Sequence, residues 1–182
     1  DVDDLPAVFR DDLTVQWNGW LKQRHGSSAK LREAWGVGAE SAGTEMFANA
    51  NFAGQLDKWI VERHPGAQVK SAVLVEVPPG LRSADAAAHA VRLEITQPGQ
   101  ESWHVQFNQG GLKLDVNRAY TLTFWARANA TRSVNLTVGQ AHDPWGNLGL
   151  SSSAAVTPEW KPFRFVFRAS GSDANARVSW AG

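Results

Sequence analysis

One stretch, Glu101 to Arg168, limits the folds open to this chain more than any other. Within it lie four runs in which apolar and polar residues alternate, each bounded by Gly, Asn, Pro or Asp. They are Trp103–Phe107, Tyr120–Arg127, Val134–Val138 and Phe163–Phe167. Alternation with a period of two marks a strand with one face buried and the other wet. The off-core face of these strands then carries Gln106, Asn108, Thr123, Trp125, Arg127 and Asn135.

The rest of the chain divides around a run of small residues, Gly36 to Gly43. Before it, Phe9, Leu13, Trp17, Trp20 and Leu21 recur at helical spacing, and His25-Gly26 supplies a stop. Ser27 or Ser28 can cap a second short helix in which Leu31, Ala34 and Trp35 share a face. After it, candidate strands cover about 47–52, 56–62, 71–77, 89–96, 102–108, 119–127, 132–140, 162–168 and 176–180. Pro78-Pro79-Gly80 and Gln97-Pro98-Gly99 are turn signals. Short strands broken at such regular intervals predict an all-β domain, an antiparallel β-sandwich over 47–182, preceded by two short α-helices within a helical appendage or linker over 1–46.

Composition narrows the function. Lys and Arg total 18 against 18 Asp and Glu, which argues against nucleic acid or an anionic membrane surface as partner. No apolar run approaches the ~18 residues of a membrane span. Cysteine is absent, which excludes disulfides and thiolate metal sites. Enzyme readings find little support. Glu33, Glu40 and Glu45 sit in the appendage or linker, and Asp143 and Glu159 in separate loops. No serine elbow, phosphate loop or zinc motif is present, and His25, His64, His89, His104 and His142 are scattered. Asn129-Ala130-Thr131 and Asn135-Leu136-Thr137 fit the glycosylation sequon, a tripeptide common by chance.

Nine tryptophans against one tyrosine is the most unusual count. A sheet face bearing amides, an arginine and an indole suits a sugar, because flat rings stack on pyranose C–H faces while polar groups meet the hydroxyls. Gln106 and Asn108 point away from the core by parity, as do Trp125 and Arg127. Burial of Trp125 beneath the helices, and an ion pair for Arg127, are the structural alternatives. Trp103 opens a strand; its parity matches Val105 and Phe107, yet residues at strand ends often depart from strict alternation. The loop from Gln140 to Asn147 concentrates Gln140, His142, Asp143, Trp145 and Asn147 between strands, where binding groups gather. Its alternative is a packed loop anchored by Trp145. Trp59 and Trp160 read as structural, and Trp17, Trp20 and Trp35 as packing residues of the helices.

The order of several motifs carries a resemblance. Asn49-Ala50-Asn51-Phe52 and Trp59 precede Ala90–Ile95, Trp103–Phe107, Leu114 and Tyr120–Arg127; Thr157-Pro158-Glu159-Trp160 and Phe163-Arg164-Phe165 follow. Over about 47–180 the chain resembles the carbohydrate-binding modules of families four, nine and twenty-two. The resemblance implies a jelly-roll sandwich that holds plant polysaccharide in a cleft on a concave sheet. In those modules an acidic residue after the first aromatic helps hold a structural calcium. Ala53 occupies that place here, which argues against the cofactor. The family's last strand carries an acidic pair, whereas this chain reads Trp180-Ala181-Gly182, so the sandwich is expected to lack that strand or to complete it elsewhere. A second resemblance lies in Trp20–Ser27 and Leu31–Gly36. It is similar to a helical segment of barrel-fold glycoside hydrolases that runs from "WL-x-x-R-Y-G" to "L-N-x-A-W-G".

Together these readings predict a secreted, noncatalytic accessory module of a glycoside hydrolase. It would bind a β-linked glucan, xylan or mannan through Trp103, Gln106, Asn108, Trp125, Arg127, Gln140, His142 and Trp145. The alternative is a structural or oligomerisation sandwich of a glycosidase that binds no sugar.

Overall fold

The structure is a computed structural model that describes residues 6–27, 30–31, 43–76, 78 and 89–182. The chain forms two compact units, Asp1–Gly43 and Thr44–Gly182. In the first, helix α1 spans Ala7–His25. Lys22, Arg24 and His25 fall in its last turn, where cations complement the helix dipole. Gly26, at φ 73°, ends the helix by donating its N–H to the Lys22 carbonyl at 2.8 Å. Trp17 and Trp20 stack with ring centroids 5.0 Å apart, and the Arg24 guanidinium lies 5.1 Å from the Trp20 ring. Ser27 Oγ accepts the Lys30 N–H at 3.2 Å, the cap expected for a second helix. The body of that helix, including Ala34 and Trp35, lies outside the described residues, as does most of the Gly36–Gly43 linker.

The described residues of the second unit form β-strands and one 3-10 turn, Ser102–His104. Its strands are β1 Ile60–Arg63, β2 Gln68–Val75, β3 His89–Gln97, β4 Val105–Leu114, β5 Ala119–Ala126, β6 Arg132–Gln140, β7 Asn147–Val156, β8 Lys161–Arg168 and β9 Asp173–Ala181. They form an antiparallel five-stranded sheet in the order β1-β4-β9-β6-β7 and two antiparallel pairs, β2-β3 and β5-β8. The five-stranded sheet packs on the β5-β8 pair. Leu136 and Val138 of β6, fully buried, meet Leu122 of β5, Val178 of β9 and the Phe163, Phe165 and Phe167 rings of β8. Each such aliphatic side chain contributes about 1.5–3 kcal/mol by leaving water.

The structure changes the expected layout in three places. Residues 47–52 are not a strand. Asn49, Phe52, Gln55 and Lys58 all take positive φ, and the segment folds into turns laced by the Asn49 amide. Trp59, read as structural, is so, although it closes this loop rather than lying in a strand over 56–62: it is buried, donates Nε1–H to the Asn49 carbonyl at 3.1 Å, and stacks on Phe107 at 4.8 Å. Second, β7 occupies residues read as a gap. Leu148, Leu150, Ala154 and Val156 alternate inward along it, a pattern diluted by Ser151-Ser152-Ser153. Third, the final residues Trp180-Ala181, expected to leave the sandwich short of a strand, belong to a central one. The last strand, β9, lies inside the sheet and is hydrogen-bonded to β4 on one side and β6 on the other.

Candidate functional site

Pairing across the five-stranded sheet sets which residues share its outer face. Phe107 and Trp180, partners on β4 and β9, join the aromatic cluster around Trp59 and so point inward. Their neighbours therefore point out. One outward row reads Ile60, Asn108, Ser179, Thr137, Ser151; the next reads Glu62, Gln106, Ala181, Asn135, Ser153. Over β6 and β7 this face is open, with Asn135, Thr137, Ser151 and Ser153 exposed. Over β4 and β9 it is enclosed.

The enclosure corrects one expectation. Gln106 and Asn108 lie on the off-core face as parity demands, but they are 7% and 3% exposed rather than solvated. β4 is not an edge strand, and charged neighbours from both sides close over Asn108. The Glu62 carboxylate on β1 accepts Asn108 Nδ2–H and Arg177 Nη1–H on one oxygen, each at 3.1 Å. Its other oxygen faces His64 Nε2 at 3.1 Å. Ser179, in the same row, has a buried hydroxyl with no hydrogen-bond partner among the described residues.

Two tryptophans flank this polar line. Trp145, 55% exposed, stands in the β6–β7 loop with the Arg177 guanidinium 5.0 Å from its ring. Trp103, 48% exposed, stands beyond β1 and does not open a strand. It belongs to a single 3-10 turn, Ser102–His104, closed by the His104 N–H to the Glu101 carbonyl. Its ring meets His64 edge-on at 4.7 Å and His104 at 4.5 Å. A continuous path thus runs Trp103, His64, Glu62, Arg177, Trp145, with Asn108 beneath it.

The other predicted loop residues brace the loop that carries Trp145, with Gln140 half-buried and His142 exposed. Gln140 uses both ends of its amide, accepting from the Gly146 N–H at 3.0 Å and donating to Asp173 Oδ2 at 3.1 Å. His142 Nδ1 faces the Asp143 carbonyl at 2.7 Å, and Nε2 faces Asp173 Oδ2 at 3.0 Å. Both ring nitrogens therefore meet acceptors, an arrangement that only the imidazolium satisfies fully. The Asp143 carbonyl accordingly raises the His142 pKa, with Asp173 adding to it against partial desolvation. Asp173 is held below its usual pKa by the Asn175 backbone N–H first, and then by Gln140 and His142.

Trp125 and Arg127 do not join this face. Phe124 packs edge-on against Trp180 at 5.5 Å, inside the sandwich. Trp125 and Arg127, of opposite parity, look out from the β5-β8 pair on the far side. Arg127 is ion-paired to Glu76 at 2.7 Å and lies 5.4 Å from the Trp160 ring, whose Nε1–H also reaches Glu76. Sequence reasoning had not singled out Glu62 or Arg177. Each sits at an outward position of its strand, but they are 115 residues apart and only the fold joins them.

The 49–59 loop contains the motif at which the resembled modules hold a structural calcium. In the 49–59 loop the Asn49 amide donates to the Gln55 and Asp57 carbonyls at 2.9 and 3.1 Å, and its oxygen accepts the Gly54 N–H. Each of those oxygens accepts a hydrogen bond from within the loop, and Ala53 offers no carboxylate, which leaves Asp57 as the loop's acidic residue. Among the described residues no group of three or more His, Asp or Glu is placed to hold a metal.

Residues 44–180 match the family model of a carbohydrate binding domain of the CBM 4/9 type. No curated protein matches the chain. Among solved structures, it is similar to a family 4 carbohydrate-binding module, with 24% identity and a TM-score of 0.56 over 74% of this chain and 86% of the module. It is also similar to part of the enzymatically active domain of tailspike protein 4 from bacteriophage CBA120, with 15% identity and a TM-score of 0.57 over 75% of this chain. An arabinose-bound α-L-arabinofuranosidase matches at 16% identity and a TM-score of 0.50 over 72% of this chain. The match covers 19% and 21% of those two enzyme chains. These likenesses establish a shared β-sandwich fold. With the family match spanning most of its length, the chain belongs to the carbohydrate binding domain family of the CBM 4/9 type.

Proposed function

We propose that the outer face of the five-stranded sheet binds a single extended chain of neutral β-linked polysaccharide, a glucan, xylan or mannan. The observation that carries the reading is the path from Trp103 to Trp145 through Glu62 and Arg177, two half-exposed rings joined by a line of fixed charged groups. Trp103 and Trp145 stack on sugar rings at either end. Glu62 and Arg177 meet hydroxyls between them, and Thr137, Asn135, Ser151 and Ser153 extend the floor over β6 and β7. Gln106, Asn108, Gln140 and His142 act from behind, holding these groups in place. Binding is weak, because a wet groove gains little net energy over its desolvation.

In this reading the sandwich is a jelly roll, is noncatalytic, acts outside the cell and serves a glycoside hydrolase, to which residues 1–46 belong. Its role there is to raise the concentration of the enzyme at its polymer. Isothermal titration against soluble β-glucan, xylan and mannan tests this: heat with at least one is expected, and none at millimolar sugar counts against it. The burial of Gln106 and Asn108 favours a second reading, a sandwich that only braces its neighbour, and that same null titration would support it.

A further inference from the structure

We infer that the opposite face of the sandwich, the outer surface of the β5-β8 pair, is a separate site for an acidic polysaccharide carrying uronate carboxylates. The pairing fixes what this surface carries. Its rows are Ala119 with Arg168, Thr121 with Val166, Thr123 with Arg164 and Trp125 with Pro162, followed by Arg127 beside Trp160. The intervening residues Tyr120, Leu122, Phe124, Phe163, Phe165 and Phe167 pack into the core, so the rows lie on the side away from it, with Ala119, Trp125 and Trp160 half-buried. Thr121, Thr123, Pro162, Arg164, Val166 and Arg168 are all exposed.

Charge picks the class of partner. The whole chain is neutral at 18 against 18, yet no acidic residue falls on these rows. Arg127 is matched by Glu76. Among the described residues no carboxylate pairs with Arg164 or Arg168, and the Arg168 guanidinium donates only to the Asn117 carbonyl. Four residues apart on one strand, Arg164 and Arg168 stand about 13 Å from each other, a linear array of like charge. Such an array attracts a linear polyanion and repels a cationic one.

The aromatic component picks a sugar over an acidic peptide. Trp125 lies between Arg164 and the Arg127–Trp160 pair, with Thr123 beside it. The Trp125 indole can stack on a pyranose while the Arg164 guanidinium takes its carboxylate. This site shares no residue with the groove between Trp103 and Trp145, and it does not depend on the neutral-glycan reading.

Polygalacturonate is the probe, with a neutral β-glucan and polyglutamate as controls, titrated into the full chain at about 20 mM and again at about 300 mM salt. Binding of polygalacturonate is expected at low salt and should weaken at high salt. The double variant Arg164→Gln/Arg168→Gln should lose roughly fivefold or more in affinity, the loss of two exposed charge contacts. Trp125→Ala should weaken polygalacturonate but not polyglutamate, and Trp145→Ala should leave polygalacturonate binding unchanged. Thermal melts verify that each variant is folded. No binding of polygalacturonate by the wild type, full binding by the double variant, equal binding of polyglutamate, or loss of polygalacturonate binding in Trp145→Ala would each overturn the inference.

Discussion

Replacing Glu62 by Ala should destabilise the sandwich more than removing its buried partner Asn108. The Glu62 carboxylate receives Asn108 Nδ2–H and Arg177 Nη1–H at 3.1 Å each. Asn108 is 3% exposed beneath that carboxylate, so Glu62→Ala takes away its charged acceptor and leaves only whatever water enters the gap. A buried donor left unsatisfied costs about 1–3 kcal/mol. Loss of the partly screened Arg177 pair adds about 1 kcal/mol at most. The sum is roughly 1–4 kcal/mol, or on the order of 3–15 °C in melting temperature for a unit of this size. Asn108→Ala is different. Glu62 keeps Arg177 and His64, and with 31% of its side chain exposed it can be rehydrated, so the cost should be about 1 kcal/mol. Urea unfolding followed by tryptophan fluorescence measures both variants. Equal losses for the two, or a loss under about 0.5 kcal/mol for Glu62→Ala, would show that the network does not organise this face.

Further outcomes follow from single contacts. The raised pKa of His142 means that its stabilising bonds are fully present below about pH 6.5, the unfolded value, and are lost as pH rises through the folded pKa. Asp173 works in the other sense, stabilising above its unfolded pKa and losing that contribution as pH falls through its depressed one. His142→Ala should therefore flatten the stability–pH curve near neutrality and weaken, without abolishing, its acid limb, since the Asn175 N–H remains on Asp173. Gly149 sits at φ 119°, and a Cβ there would lie 2.4 Å from the Arg168 carbonyl oxygen, so Gly149→Ala should lower the urea midpoint by more than an exposed loop substitution does. Trp59→Ala, which empties a buried indole from the Phe107 stack, should cost about 3–5 kcal/mol in the same assay.

Much of the sandwich is legible in the sequence because alternation is a local signal. The bounds of β6 coincide with the expected 132–140, and those of β5 and β8 lie within a residue of expectation, since each strand pairs one apolar face with one polar face. β7 escapes because its inward positions include Ser152 and its outward ones Gly149 and Ser151, which dilute the contrast. Residues 47–52 mislead for the opposite reason. Phe47 and Phe52 are apolar and evenly placed, but positive φ at Asn49 and Phe52 bends the chain into turns, and both rings join the Trp59 cluster. The candidate site is less legible. Parity says which residues leave the core but not which of two outer faces they reach, so Trp125 and Gln106 read alike and end on opposite sides. Nor does parity reveal that Glu62 and Arg177 close over Asn108, because ion pairs between distant strands leave no local pattern.

The reading of the five-stranded face stands or falls on where a neutral glycan sits. A crystal structure of the chain soaked with a cello-, xylo- or manno-hexaose measures it directly. The account predicts sugar rings stacked on Trp145 and Trp103, with hydroxyls on Glu62 and Arg177. An oligosaccharide bound elsewhere, with that face bare, would contradict it.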